Sequence, residues 1–258
     1  MVFYFSGTGN SRYAANNIAG KQGGAVYDIA EMLQKEQRIF VPQEGEAVGF
    51  VFPVYAWGPP EPVLEFIRKS RLALSENYIF AVMTCGQDAG DCGMLLQTAL
   101  KRAGIALHGQ FSVVMPDNYI VGYQLDTPER QQKILKEAMR ALEAANEKIA
   151  SRYEGVQVEK GALPRLKSRL IHPLFLRFFN PLKHFRVTER CTSCGLCQRI
   201  CPSGDIVINS QGRPIWAGKC YGCLGCINRC PATAIEYGKA TIGRRRYYNP
   251  LCGGDRDA

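Results

Sequence analysis

CTSCGLCQRICP, residues 191–202, and CYGCLGCINRCP, residues 220–231, are two copies of one pattern, C-x-x-C-x-x-C-x-x-x-C-P. A [4Fe–4S] cluster needs four thiolates around a cube of iron and sulfide. Three closely spaced cysteines wrap one corner, and a distant fourth closes the cage. Where two such motifs occur together, the fourth cysteine crosses over. The expected ligand sets are therefore Cys191, Cys194, Cys197 and Cys230 for one cluster, and Cys220, Cys223, Cys226 and Cys201 for the other. A zinc site would use two C-x-x-C pairs rather than tight triplets each ending in Cys-Pro. A disulfide framework belongs to small secreted chains. This chain opens on the apolar run Val2-Phe3-Tyr4-Phe5, with no basic leader or cleavage site.

The motifs fill only the last quarter of 258 residues, so the chain has room for one more domain with its own core. No apolar run approaches the twenty or so residues that span a bilayer. With eleven cysteines, the expected compartment is a reducing cytoplasm. Charge is uneven. Residues 1–118 carry 9 Lys+Arg against 11 Asp+Glu, whereas residues 181–258 carry 12 against 5. Two clusters, each adding about −2 with its four thiolates, offset part of this excess. The remainder favours a protein redox partner with an acidic surface. Nothing in the sequence is a nucleic-acid module.

The front half alternates. Strands are expected over 2–5, 26–29, 48–54, 78–84 and 111–115, and helices over 10–20, 62–71, 93–103 and 128–153. Such alternation means βαβ units and a parallel sheet, with ligands beyond the carboxyl ends of the strands. The first strand runs into Ser6-Gly7-Thr8-Gly9-Asn10-Ser11. Glycines there let the backbone approach a phosphate, while hydroxyls, the Asn10 amide and the free N–H groups of a helix start donate to it. Lacking lysine, the loop is not a Walker A site, and it is not G-x-G-x-x-G. Two further loops end strands on the same edge. Pro53, Tyr55, Ala56, Trp57 and Gly58 offer rings to stack on a planar group. Thr84, Cys85 and Gly86 offer small residues and free amides. Asp117, Asn118 and Tyr119 follow the last strand and are placed to border the same site.

The Ser6–Ser11 loop after the first strand is similar to the FMN signature of flavodoxins. Joined to a double-cubane motif, it resembles the ferredoxins that carry an N-terminal flavodoxin-like domain. That resemblance implies a doubly wound flavodoxin-like sheet of five strands, order 2-1-3-4-5, followed by a small α+β bacterial-type 2[4Fe–4S] ferredoxin domain. It implies FMN, with Ser6, Gly7, Thr8, Gly9, Asn10 and Ser11 on its phosphate. Tyr55 and Trp57 would flank its ring, and Thr84, Cys85 and Gly86 its polar edge. The expected organisation is 1–158 flavodoxin-like, 159–186 connector, 187–240 ferredoxin and 241–258 tail.

Between Lys160 and Arg186 the connector holds seven basic residues and no acidic one, interleaved with Leu170, Ile171, Leu174, Phe175, Leu176, Phe178, Phe179 and Leu182. Its apolar groups are read as sealing the two domains together, with contact to an anionic membrane as the alternative. The Arg244-Arg245-Arg246-Tyr247-Tyr248 cluster is read as a tail that docks a partner, braces the flavin domain or lies in solvent. No acid–base or nucleophilic constellation stands out. The functional expectation is an electron-transfer protein passing electrons between two clusters and FMN, to or from a partner oxidoreductase. The alternatives are a flavin-dependent reductase acting on a small molecule and a redox sensor.

Overall fold

The structure, a computed structural model, describes residues 1–73, 77–178 and 181–252. Phe179 and the end of the expected tail, residues 253–258, lie outside the described residues. The N-terminal sheet has strands β1 (Val2–Tyr4), β2 (Val26–Asp28), β3 (Val48–Pro53), β4 (Ile79–Cys85), β5 (Gly109–Val114) and β6 (Gly155–Gln157). Their order is β2-β1-β3-β4-β5-β6, and every pairing is parallel.

Strict alternation along the strands builds a core on each face. Phe3, Phe50, Phe52, Ile79, Ala81 and Met83 point to one side, Val2, Val51, Phe80 and Val82 to the other. Helices α1 (Asn10–Gln22) and α5 (Pro128–Ala150) cover the second face. Ala14, Ala15 and Ile18 of α1, with Leu135, Ala138, Leu142 and Ile149 of α5, supply the apolar stripes. Met139, which the helical period places on the apolar face, is exposed. Helices α2 (Ile29–Gln34), α3 (Glu61–Lys69) and α4 (Cys92–Arg102) lie on the first face, their apolar residues packed with Phe3 and Phe50.

The sheet thus has one strand more than the expected five. After α5 the chain turns through Gly155, at φ 147°, and lays three residues along the edge of β5. Pairing shields an otherwise open edge. Gly-Val-Gln is too short and too polar to declare itself as a strand.

The C-terminal domain is built on two antiparallel pairs, β7 (Phe185–Val187) with β10 (Ile235–Tyr237), and β8 (Ile206–Ile208) with β9 (Pro214–Trp216). Each cysteine triplet ends in a short helix. Between the two domains the connector forms one helical run: α6 (Pro164–Leu166), a π turn (Lys167–Ile171) and α7 (His172–Phe178). Helices α8 (Leu196–Arg199) and α9 (Gly225–Arg229) belong to the triplets. The ferredoxin core takes in Ile120 and Leu125 from the first domain and Tyr247 from the tail, so the halves share packed residues.

Candidate functional site

The loops beyond β1, β3, β4 and β5 converge on a cavity of about 890 Å³. Of the fifteen residues expected to bind flavin, thirteen line it: Ser6, Gly7, Thr8, Asn10 and Ser11; Pro53, Tyr55, Ala56 and Trp57; Thr84, Cys85 and Gly86; and Asn118. Gly9 and Gly58 do not, and both are glycine for packing reasons. Gly9 takes φ 93° to start α1, with its open side against Asn249 and Cys252. The His172 ring occupies the place a Cβ on Gly58 would need.

Hydrogen bonds knit the phosphate loop. Gly9 N–H donates to Ser6 Oγ at 3.1 Å, Ser11 Oγ and Thr84 Oγ1 are 2.8 Å apart, and Asn118 Nδ2 donates to Thr8 Oγ1 at 2.7 Å. The Asn10 amide, expected to reach phosphate, is engaged elsewhere. Its Nδ2 donates to Pro116 O, and its Oδ1 accepts from Tyr247 Oη at 2.7 Å and Asn249 Nδ2 at 3.1 Å. What Asn10 leaves for an anion is its backbone N–H in the first turn of α1, which has no intrahelical acceptor.

The Tyr55–Gly58 loop is a tight turn closed by reciprocal N–H···O bonds of 2.9 and 3.0 Å, with Ala56 and Trp57 at positive φ. The connector holds it. Ser168 Oγ donates to Trp57 O at 2.7 Å, His172 Nδ1 meets Tyr55 O at 2.9 Å, and the Lys167 ammonium stands 5.0 Å above the Trp57 ring while pairing with Asp88. Burial holds the His172 pKa below its usual value. The connector turns these polar groups inward; Leu163, Leu166, Leu170 and Leu174 are exposed, while Ile171, Phe175, Leu176 and Leu182 line the cavity. The Cys85 and Cys92 thiols are buried, Cys85 pushed up to about 12 by that burial. Both belong to the core on the first face of the sheet, and Cys85 also lines the cavity.

Cys191, Cys194, Cys197 and Cys230 line one small cavity with Leu196, Ile208 and Ile235. Burial raises the pKa of the Cys220, Cys223 and Cys226 thiols, and the Cys201 sulfur is a lesser cause in each. Backbone donors point at the sulfurs: Gly222 N–H to Cys220, Gly225 N–H to Cys223 and Ala234 N–H to Cys230, at 3.3–3.5 Å. Bound iron favours the thiolate form of each cysteine.

The two sites share a wall. Residues Cys220 to Leu224 line the flavin-side cavity. A Cβ on Gly7 would collide with Cys223 O, and one on Gly225 would stand 2.9 Å from Gly7 O. Glu65, buried on α3, accepts from Lys219 at 3.2 Å and from Tyr221 Oη at 3.4 Å, and Gln34 donates to Pro202 O at 2.9 Å. Tyr55, which lines the cavity, has a buried hydroxyl with no hydrogen-bond partner among the described residues. That orphaned hydroxyl and the amide donors at sulfur fit a site completed by cofactors. The tail adds a strap, with Asn249 N–H on Thr8 O and Cys252 Sγ on Gly9 O. Neither the strap nor the inward Ser168 and His172 carries a local sequence signal.

A family model described as a flavodoxin domain matches residues 1–116, and one described as a 4Fe-4S dicluster domain matches residues 183–231. Ferredoxin-1 of Chlorobaculum tepidum is 38% identical over 58 residues, covering 20% of this chain and 94% of that protein. Pyruvate synthase subunit PorD of Methanocaldococcus jannaschii is 38% identical over 60 residues, 23% of this chain and 66% of that one. Among solved structures, the flavodoxin of Streptococcus pneumoniae TIGR4 aligns over 56% of this chain and 97% of its own, with 16% identity and a TM-score of 0.31. The cofactors are two [4Fe–4S] clusters in the C-terminal domain and a flavin in the N-terminal one. The chain belongs to the 4Fe–4S dicluster ferredoxins and carries a flavodoxin domain ahead of its ferredoxin domain.

Proposed function

We propose that this protein conducts electrons between a partner oxidoreductase and FMN through two clusters in series. One observation carries the reading: the Cys220–Leu224 loop is at once a ligand loop of the second motif and a wall of the flavin cavity. In this reading Cys191, Cys194, Cys197 and Cys230 hold the outer cluster, with Cys194 exposed to a partner. Cys201, Cys220, Cys223 and Cys226 hold the inner one, where Cys223 and Cys226 are buried. The excess of 12 Lys+Arg over 5 Asp+Glu in residues 181–258 favours an acidic partner surface. A thiolate-rich protein of this kind belongs in a reducing cytoplasm.

When bound, flavin exchanges one or two electrons and each cubane passes one. The chain's own residues do the rest. Ser6, Gly7, Thr8 and Ser11 receive the FMN phosphate together with the first N–H groups of α1. Tyr55 and Trp57 border the ring, and the Gly222, Gly225 and Ala234 amides tune the clusters by donating to their sulfurs.

Anaerobic purification with iron, sulfide and flavin counted per chain is the first test, with about eight iron and one FMN expected. Rapid mixing with a low-potential donor should then reduce both clusters before the flavin bleaches. Flavin that bleaches while the clusters remain oxidised would sink the series arrangement. A second reading, direct reduction of a small molecule at the flavin, draws on the breadth of the cavity, near the upper end of ordinary ligand sites. Steady turnover of small acceptors without any protein partner would favour it.

A further inference from the structure

The connector presents an inverted helix. Its inward positions, Ser168 and His172, are polar and buried. Its outward line is aliphatic: Leu163, Leu166, Leu170 and Leu174 are 67%, 47%, 52% and 45% exposed. Leu166, Leu170 and Leu174 recur every fourth residue along a helical run from Pro164 to Phe178, about 22 Å long, and Leu163 stands just before its start. A soluble surface helix shows the opposite pattern.

We infer that this outward face rests on an anionic lipid surface. The leucines are accompanied by Arg165 and Arg169, both exposed, in a stretch that has no acidic residue from Lys160 to Thr188. Lys160 and Lys167 are paired with Asp91 and Asp88 of the flavin domain, so they fasten the helix rather than address solvent. From Lys160 to Leu174 the neutral polar side chains are Ser168 and His172, both turned inward. The outward surface is therefore aliphatic carbon and guanidinium, without a hydroxyl, an amide or an aromatic ring. A protein–protein interface concentrates aromatic residues within a polar rim. An interfacial helix asks only for an apolar face with cations that meet phosphate. No helix among the described residues is long and apolar enough to cross a membrane, so the contact lies in the interface plane.

The sequence alone favours a sealing role for this segment over a membrane contact. In the folded chain the two roles separate by face, since the polar face seals the Trp57 loop and the aliphatic face is left for lipid. The inference stands independently of the direction or partner of electron transfer.

The test is flotation of the cofactor-loaded full chain with vesicles of phosphatidylglycerol mixed with phosphatidylcholine, and with phosphatidylcholine alone. The protein should float with the mixed vesicles, float weakly with the neutral ones, and be released by high salt. The Arg165→Gln/Arg169→Gln variant should bind roughly fivefold more weakly per arginine removed. The Leu166→Ser/Leu170→Ser/Leu174→Ser variant should lose flotation while keeping its iron and flavin. Three outcomes overturn the inference: no flotation with anionic vesicles, equal flotation of the leucine variant, or a wild-type dimer that the leucine variant dissociates, which would give the face to a second copy.

Discussion

Replacing Gly7 by alanine places one methyl group where the carbonyl of Cys223 already lies. Gly7 is not among the residues at positive φ, so alanine brings no backbone penalty and the effect reads the contact alone. The phosphate loop is tied to Thr84, Asn118 and the tail. Relief must therefore come from parting the loop and the Cys220–Leu224 segment, or from straining both. Forcing a methyl into a packed contact costs about 1–3 kcal/mol, which is roughly a five- to 150-fold factor in an equilibrium constant. Anaerobic titration of FMN into flavin-free, cluster-loaded Gly7→Ala protein should show that weakening in Kd, and stopped-flow flavin reduction should slow with it. Gly225→Ala meets the same contact from the ferredoxin side, at 2.9 Å from Gly7 O, and should act alike while leaving the phosphate loop unaltered. Shared contact makes the double variant less than additive. Gly20→Ala, with nothing within 4 Å, is the control and should be neutral or slightly stabilising. Wild-type Kd and reduction rate in both Gly7→Ala and Gly225→Ala would refute the shared wall.

Tyr247→Phe removes a buried hydroxyl from Asn10 Oδ1 but leaves the Asn249 amide there. The cost should be about 1 kcal/mol, read as a Tm about 2–4 °C lower. Tyr55→Phe deletes the orphaned hydroxyl beside the inner cluster and the ring site. Losing a donor to the more negative, reduced form should lower one midpoint potential by about 40 mV, and unchanged potentials at flavin and clusters would discard that role. His172 is buried with a lowered pKa. The unfolded chain takes the proton more readily below about pH 6.5, so connector docking should weaken as pH falls from there toward the lower folded-state value. Flavin retention measured from pH 7.5 to 5.5 should show this decline, and His172→Gln should flatten it.

The dicluster motif was legible because iron chemistry acts locally: three closely spaced cysteines on one corner of a cluster dictate their own spacing. The loop after the first strand was legible as a cavity wall for the same reason, since a strand, two glycines and a helix start lie within ten residues. What stayed hidden depends on distant partners. The Asn10 amide reads as a phosphate ligand until Tyr247, 237 residues away, is seen to take it. The connector is read only through its apolar groups, and nothing local marks Ser168 and His172 as the residues that face the flavin domain. Packing selects them, because the Trp57 loop offers backbone carbonyls that only polar side chains satisfy. The sixth strand, three residues long, exists because β5 had an open edge.

These distant partners change how the two domains are connected. A tether would act by raising effective concentration. Here the cluster loop, connector and tail instead all close on the loops of the flavin edge, so geometry is fixed by contact rather than by linker length. Contact implies linkage: if flavin binding orders the cavity wall, it must stabilise the cluster held in that wall, and by the same factor in reverse. The outer motif, which lines a separate small cavity, has no such wall in common. Flavin should therefore slow chelator-driven iron loss from the cluster of Cys201, Cys220, Cys223 and Cys226, and leave the loss from Cys191, Cys194, Cys197 and Cys230 unchanged. Paramagnetic resonance of the reduced protein, sampled during chelation with and without FMN, distinguishes the two. Equal protection of both clusters would mean that flavin acts through global stability, and no protection would mean that the loops meet without coupling.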